Sequence, residues 1–118
     1  MSNKYSVEEL QFMFNEGFRK AENACLAYLA QHGSNGSCGF AWVVIDKFND
    51  KNIDGRQKIA KDLKKLDCIP DSSVGEITVW NPSKSSTQCI SALEAGARAF
   101  AKHLEPFGFY AFMDSRVD

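Results

Sequence analysis

The chain has 118 residues, of which 44% are hydrophobic, 25% charged and 12% aromatic. These values are typical of one soluble globular domain and exclude collagen, a mucin-like stalk and a wholly disordered chain. Lys and Arg number 14 against 15 Asp and Glu, giving a net charge of -1, so no overall positive field attracts nucleic acid or anionic lipid. We expect a single domain spanning 1–118, with a nucleic-acid partner disfavoured.

The N-terminal sequence and the cysteines indicate the compartment. The first six residues lack the apolar core of a secretory signal, and no apolar run reaches the ~20 residues of a membrane-spanning helix. Cys25, Cys38, Cys68 and Cys89 are widely spaced, without the pairing typical of zinc sites. We therefore expect a cytoplasmic protein with reduced, mostly buried thiols, no membrane contact, no metal and no cofactor.

Residues 7–32 carry the pattern of one long helix. Ser6 and Glu9 form a capping box, in which each side chain accepts a hydrogen bond from the other residue's backbone amide. Gly33 is placed to end the helix, since glycine adopts the left-handed backbone without strain. Apolar side chains recur at helical spacing between these ends: Leu10, Phe14, Phe18, Ala21, Cys25, Tyr28 and Leu29.

A strand and a short helix come next. Residues 38–46 are a nearly continuous run of apolar β-formers, which is typical of a strand buried on both faces and hence central in its sheet. After a polar turn at 47–53, Asp54–Gln57 offers a second capping box. The apolar stripe of a short helix with a basic, solvated opposite face follows: Ile59, Leu63 and Leu66.

The last third of the chain predicts a strand, a helix and a strand. Pro70–Ser73 interrupts the chain, and 76–80 forms a short strand. Ser85 or Thr87 is placed to cap the following helix. That helix carries an apolar stripe and small residues that allow close packing: Ile90, Leu93, Ala97, Phe100 and Leu104, with Ala92, Ala95, Gly96 and Ala99. The third strand is predicted at 109–113.

The element order α-β-α-β-α-β predicts a small α/β domain. Strands that alternate with helices favour right-handed parallel crossovers. We therefore expect a three-stranded, mainly parallel sheet with helices packed on it and a long N-terminal helix. Such a sheet leaves two edges, which the first helix or a partner subunit would cover, so we expect a homo-oligomer.

The loop that enters the last helix is a candidate anion site. It leaves a strand and opens a helix, so free amides and the positive end of the helix dipole would face a ligand. The alternative is that its hydroxyls cap the helix and its lysine is solvated. The candidate ligand-binding residues of this loop are Lys84, Ser85, Ser86 and Thr87.

Three residues outside that loop complete the predicted ligand site. Arg116 follows the predicted last strand, where a guanidinium would bind a phosphate or carboxylate. Trp42 and Trp80 would stack on a base. The alternatives are a surface salt bridge of Arg116 with Asp114 or Asp118, and tryptophans that belong to the core.

The sequence offers few candidate catalytic residues. Cys89 near a helix start and Cys38 at a strand start are candidate nucleophiles. His32 and His103 both lie at the predicted C-terminal ends of helices, away from the ligand site predicted at the start of the last helix. The glycine-rich stretch around Gly36 follows a helix and opens a strand, the reverse of a phosphate-binding loop. The sequence thus favours binding over catalysis.

Four segments of the chain are informative together: Ser37–Val43, Val79–Ser83, Ala92–Ala101 and Asp114–Asp118. They resemble short accessory proteins of tailed bacteriophages, whose activities are not established. The resemblance covers roughly the last two-thirds of the chain and transfers no functional residue. It implies an accessory protein made in an infected bacterium, a setting in which small phage proteins often block host enzymes or sequester nucleotide signals of host immunity.

These observations lead to one hypothesis and two alternatives. The first is a non-enzymatic module that sequesters a small anionic, nucleotide-type ligand and so counters bacterial defence. The second is a protein–protein inhibitor of a host enzyme that acts through the long helix or a sheet edge. The third is a small enzyme dependent on Cys38 or Cys89.

Overall fold

The computed structural model describes residues 7–33, 36–46, 71–73, 76–107, 109 and 111–118. The predicted middle helix and the Ser6 capping box lie outside these residues. In chain order, the described elements are α1 (Val7–His32), β1 (Gly39–Asp46), β2 (Asp71–Ser73), β3 (Glu76–Trp80), α2 (Ile90–Leu104), a 3-10 turn (Glu105–Phe107) and β4 (Ala111–Val117). The predicted mixture of helices and one β-sheet is confirmed.

The first helix has the predicted bounds, Val7–His32. Its apolar stripe is buried in the first five members and half-buried at Tyr28 and Leu29. Gly33 has a φ of 75°, and its N–H donates to the Leu29 carbonyl at 2.8 Å. A left-handed glycine therefore ends the helix, as predicted.

The sheet is antiparallel, so the predicted parallel arrangement is wrong. Its order is β2-β3-β1-β4, and both neighbours of β1 run antiparallel to it, with Trp42 opposite Trp80 and Val43 opposite Met113. β3 and β4 do run in the same direction on either side of α2, but β1 lies between them. The order strand–helix–strand along the chain does not reveal that another strand is inserted between the two in the sheet. The central position predicted for β1 is confirmed, but the predicted burial of both its faces is not found at Phe40 and Trp42, which are half-buried.

Two strand predictions need correction. β4 spans Ala111–Val117 instead of 109–113, because it pairs with β1 along its length as far as Gly39 opposite Val117. Arg116 therefore lies within a strand and not beyond one. The predicted break at Pro70–Ser73 contains the short strand β2, which pairs with β3 at the sheet edge.

The helices form one layer against one face of the sheet. α1 packs along α2, and α2 packs against β1 and β4. Phe100 lies at the centre of the core, with its ring centroid 5.6 Å from that of Phe14 and 5.0 Å from that of Phe18. Because α1 packs on α2, it does not cover the edges of the sheet, which within the described residues are β2 and β4. The homo-oligomer stays a prediction.

The two helices approach each other closely at Gly96. A Cβ atom there would lie 2.8 Å from Ser83 Cβ and 3.0 Å from the Ala21 carbonyl oxygen, which is a backbone atom and cannot rotate away. The close approach predicted from the small residues of this helix is confirmed at Gly96. Of the helices in the described part of the chain, neither combines the length and the apolar character needed to cross a membrane.

Gly96→Ala is expected to destabilise the protein by about 1–3 kcal/mol, because the added methyl group forces α1 and α2 apart. The gain in helix propensity of up to about 1 kcal/mol opposes this loss. Urea denaturation followed by circular dichroism measures the change. Arg98→Ala, at an exposed position of the same helix, is the control and is expected to change stability by less than about 0.5 kcal/mol. Equal or greater stability of Gly96→Ala would contradict the close contact.

Candidate functional site

The sheet face opposite the helices carries four aromatic side chains within the described residues. Successive strand residues point to opposite faces, and Val43 points into the core. Phe40 and Trp42 of β1 therefore lie on the outer face, as do Trp80 of β3 and Phe112 of β4, which are paired opposite outward-facing residues of β1. We call these four residues the aromatic face.

The rings at one end of the aromatic face form a continuous layer. Trp42 and Trp80 stack with their centroids 5.3 Å apart and their planes 12° from parallel. Phe40 adjoins Trp80 at 5.6 Å and 34°. Trp80 is 52% exposed and Phe112 is 44% exposed. Solvent therefore reaches this layer, and a ligand would meet exposed aromatic surface there.

Arg116 adds a positive charge to this layer. It is paired opposite Phe40, and its guanidinium carbon lies 6.0 Å from the centre of that ring. Asp114 lies on the same face opposite Trp42, and its carboxylate accepts a hydrogen bond of 2.8 Å from the Ser115 amide. The positive charge is thus at the Phe40 end of the aromatic face, two residues along β4 from the Asp114 carboxylate.

Lys84 does not reach the aromatic face. Its ammonium nitrogen lies 4.2 Å from the centre of the Phe18 ring, which belongs to the helix layer. Its backbone is left-handed, with a φ of 57°, in the loop that leaves β3. The structure therefore places Lys84 and Arg116 on different sides of the sheet and does not bring them together as the sequence predicted.

The hydroxyl groups of this loop bind the loop's own backbone. Ser83 donates to the side-chain oxygen of Asn81 at 3.0 Å and accepts from the Ser85 amide at 3.3 Å. The Ser85 hydroxyl oxygen accepts from the Thr87 amide at 3.1 Å, and the Thr87 hydroxyl oxygen accepts from the Cys89 amide at 3.2 Å. Each bond spans two residues and stabilises a turn.

The N-cap of α2 is Cys89, without a side-chain cap, so the prediction that Ser85 or Thr87 caps this helix is wrong. The helix begins four residues later than a cap at Ser85 would give and two later than a cap at Thr87, and the hydroxyls of both residues form turns in the loop instead. Ser86 is exposed. Of the two alternatives for this loop, a structural role therefore describes Ser85 and Thr87 better than a ligand site.

A small pocket joins this loop to the aromatic face. It has a volume of about 170 Å³ and is lined by residues from β1, the end of β3 and the loop before α2, among them Phe40, Trp80, Asn81, Thr87 and Gln88. Pockets that enclose a small-molecule ligand usually measure about 300–1,000 Å³. This one would admit a single group of a ligand that rests on the aromatic face.

The histidines lie away from that pocket. His32 packs on Tyr28, with ring centroids 4.5 Å apart, and Nε2 of His103 lies 2.9 Å from the Met13 carbonyl oxygen. Among the described residues, no three His, Cys, Asp or Glu side chains are grouped as metal ligands would be.

Phe40 and Phe112 are members of the aromatic face that sequence reasoning missed. Phe40 alternates with Trp42, which was a usable signal for a strand with one aromatic side. Phe112 became recognisable only from the pairing of β4 with β1.

The chain matches no protein-family model, and no curated protein or solved structure is similar to it. The resemblance to phage accessory proteins thus stays a prediction. Inferences about function rest on the residues of this chain and their geometry.

Ser83→Ala is expected to destabilise the protein by about 1–2 kcal/mol, because Ser83 is only 3% exposed and the change removes the hydrogen bonds of its hydroxyl with the Asn81 side-chain oxygen and the Ser85 amide. Thermal denaturation measures the loss. The same substitution at exposed Ser86 is the matched control and is expected to shift stability by less than about 0.5 kcal/mol. If the two variants lose equal stability, the hydrogen bonds of Ser83 do not hold the loop.

Proposed function

We propose that this protein is a non-enzymatic binding module that captures a small anionic, nucleotide-type ligand on its aromatic face. The observation that carries the proposal is the exposed layer formed by Phe40, Trp42 and Trp80, with Arg116 at its end. The stacked rings supply exposed apolar surface, and Arg116 supplies one positive charge beside it. These are the two features that a base joined to a phosphate requires.

The aromatic rings supply the affinity for the base. A base that stacks on an exposed aromatic side chain gains about 1–3 kcal/mol, whichever base it is. Trp80 is the central ring, since it contacts both Trp42 and Phe40 and is half exposed. Because these contacts fix the orientation of the ring, a ligand would bind without first ordering it.

Arg116 supplies the preference for an anion. A guanidinium binds two oxygens of a phosphate through parallel hydrogen bonds, and it remains charged at every physiological pH. Its position beside Phe40 would put the phosphate next to the small pocket. With one arginine at this face and a net charge of -1 for the chain, the arrangement suits a ligand with a few phosphates better than a polyanion.

Capture without turnover fits the phage-type setting that the sequence resemblance implies. A module that removes a nucleotide signal of host immunity needs tight binding but neither a base nor a metal. In this proposal the ligand-binding residues are Trp42, Trp80 and Arg116 from the sequence prediction, joined by Phe40. Ser85 and Thr87 stabilise the loop through their hydrogen bonds, Lys84 packs on Phe18, and this proposal assigns no role to Ser86.

Trp80→Ala is expected to weaken binding of cyclic dinucleotides, cyclic trinucleotides or ADP-ribose derivatives by roughly 5- to 150-fold, because a stacked base loses its aromatic partner. Isothermal titration calorimetry with each compound class measures the affinity. Arg116→Gln is expected to weaken nucleotide binding about tenfold or more and to leave binding of the matching nucleoside nearly unchanged.

Lys84→Gln is the control for this experiment, since Lys84 lies on the other side of the sheet and should not affect binding. A loss with Lys84→Gln equal to that with Arg116→Gln would refute the placement of the anion. No heat of binding for any of these compounds at high micromolar concentration would refute a nucleotide ligand. Tighter binding of a single-stranded oligonucleotide would instead make the aromatic face a nucleic-acid surface.

A groove on the long helix favours protein–protein inhibition as the second candidate function. The groove lies between the start of α1 and the end of α2, has a volume of about 380 Å³ and has an apolar floor that includes Met13. Phe12 at its edge is 69% exposed. The acidic residues that line it are Glu8, Glu9 and Glu16.

The charge of the groove specifies its partner. Glu16 is paired with Arg19, which lowers the pKa of its carboxyl group and offsets its negative charge, so the acidic character of the rim comes mainly from Glu8 and Glu9. Apolar surface rimmed by carboxylates is complementary to a basic amphipathic helix. We therefore assign to the groove a partner segment with apolar residues on one side and lysine or arginine on the other.

Phe12→Asp is expected to weaken binding of a synthetic leucine–lysine amphipathic peptide at least tenfold, because it places a charge in the apolar contact. Fluorescence anisotropy of the labelled peptide measures the affinity. Leu26→Asp, at another exposed apolar position of α1 outside the groove, should leave it unchanged. Equal binding of a leucine–glutamate peptide would show that the acidic rim does not select the partner.

A further inference from the structure

Cys38 and Cys89 face each other across two antiparallel segments. They form an isolated β-bridge between the start of β1 and the start of α2. The Gly39 amide donates to the Gln88 carbonyl at 3.0 Å, and the Ile90 amide donates to the Ser37 carbonyl at 3.0 Å. Because these bonds join the residues on either side, the two cysteines occupy a non-hydrogen-bonded pair.

A pair of this kind has the geometry of a disulfide. Directly opposed residues at such a position have Cα atoms about 4.5 Å apart, and their side chains leave the same face of the ladder. Disulfides join Cα atoms about 4.4–6.8 Å apart. Both residues carry thiols, and neither lies in a disulfide in this structure. The backbone is therefore set for a disulfide before any oxidation takes place.

The two thiols differ in access. Cys38 is exposed, so a dissolved oxidant reaches it, whereas Cys89 is 3% exposed and packs beside Ala92 and Cys25. Thiol–disulfide exchange can use this difference in exposure. The exposed thiolate reacts with the oxidant to form a mixed disulfide, and the neighbouring thiolate then attacks that mixed disulfide. Cys25 also touches this buried cluster and is the competing partner for Cys89.

We infer that Cys38 and Cys89 form a reversible disulfide. The Cys38 thiolate attacks a low-molecular-weight disulfide such as oxidised glutathione and releases one glutathione thiolate. The Cys89 thiolate then attacks the Cys38 sulfur and releases the second. Two protein thiols are oxidised, one glutathione disulfide is reduced to two thiols, and the protons of the two cysteines end on the two glutathione molecules.

This bond would fasten two parts of the fold that are far apart in sequence. It joins the start of β1 to the loop before α2, and neighbours of both cysteines, Gly39 and Gln88, line the small pocket beside the aromatic face. Oxidation would thus fix two walls of that pocket. The disulfide itself does not depend on the proposed ligand.

The test oxidises the full-length chain in a glutathione buffer and maps the linked peptides by mass spectrometry without reduction. We expect a Cys38–Cys89 linkage, loss of two hydrogen atoms from the intact mass, and a melting temperature about 5–15 °C above that of the reduced protein. Addition of dithiothreitol should reverse all three changes.

Cys38→Ser should abolish the linkage without loss of fold, since Cys38 is exposed, whereas Cys25→Ser should retain it. A Cys25–Cys89 linkage, a linkage to Cys68, or two thiols that stay reduced at equal concentrations of oxidised and reduced glutathione would each overturn the inference. The disulfide is detected by mass alone, so its outcome does not depend on whether a nucleotide binds. Calorimetry with the same nucleotides on the oxidised and the reduced protein tests the proposed function separately.

Discussion

The alternation of side chains along β1 is the constraint on which the rest of the structure depends. β1 is the central strand, so its register fixes what both faces of the sheet present. Val43 and Ile45 point toward α2 and complete the core, and the same register sends Phe40 and Trp42 to the outer face. A shift of one residue would expose the aliphatic residues and bury the aromatic ones, so core and aromatic face are specified together.

The packing of α2 links this strand to the long helix. Phe100 of α2 contacts Phe14 and Phe18 of α1, while other residues of the same helix cover β1 and β4. Gly96 lets the helix backbones approach without a side chain between them. As a result, the helix layer needs only one face of the sheet, and the described residues leave the opposite face to its aromatic side chains.

The elements governed by local signals were predicted from sequence, whereas those set by pairing were not. The periodic stripe and Gly33 give the exact bounds of α1, and the buried run gives the centrality of β1. The antiparallel order could not be deduced, because it depends on which strand lies between β3 and β4. The extension of β4 to Val117 likewise comes from its pairing with β1, since Asp114 has low strand propensity and the residues after it are polar.

The same distinction explains the candidate site. Trp42, Trp80 and Arg116 were chosen one at a time for their chemistry, and register places them on one face. Lys84 was chosen for its place near a helix start, but the left-handed turn at that residue directs it onto Phe18. Turn geometry within a loop of hydroxyl residues depends on hydrogen bonds that the order of residue types does not determine.

Gly39 explains why several of these features meet at one end of the sheet. A Cβ atom at this position would lie 2.5 Å from the Arg116 carbonyl oxygen and 2.6 Å from an Ile90 side-chain carbon. Without a side chain, β1 can contact β4 on one side and the start of α2 on the other. That double contact sets Cys38 opposite Cys89 and Arg116 beside Phe40. A larger residue would push one partner away, so the thiol pair and the positive end of the aromatic face depend on the same close approach.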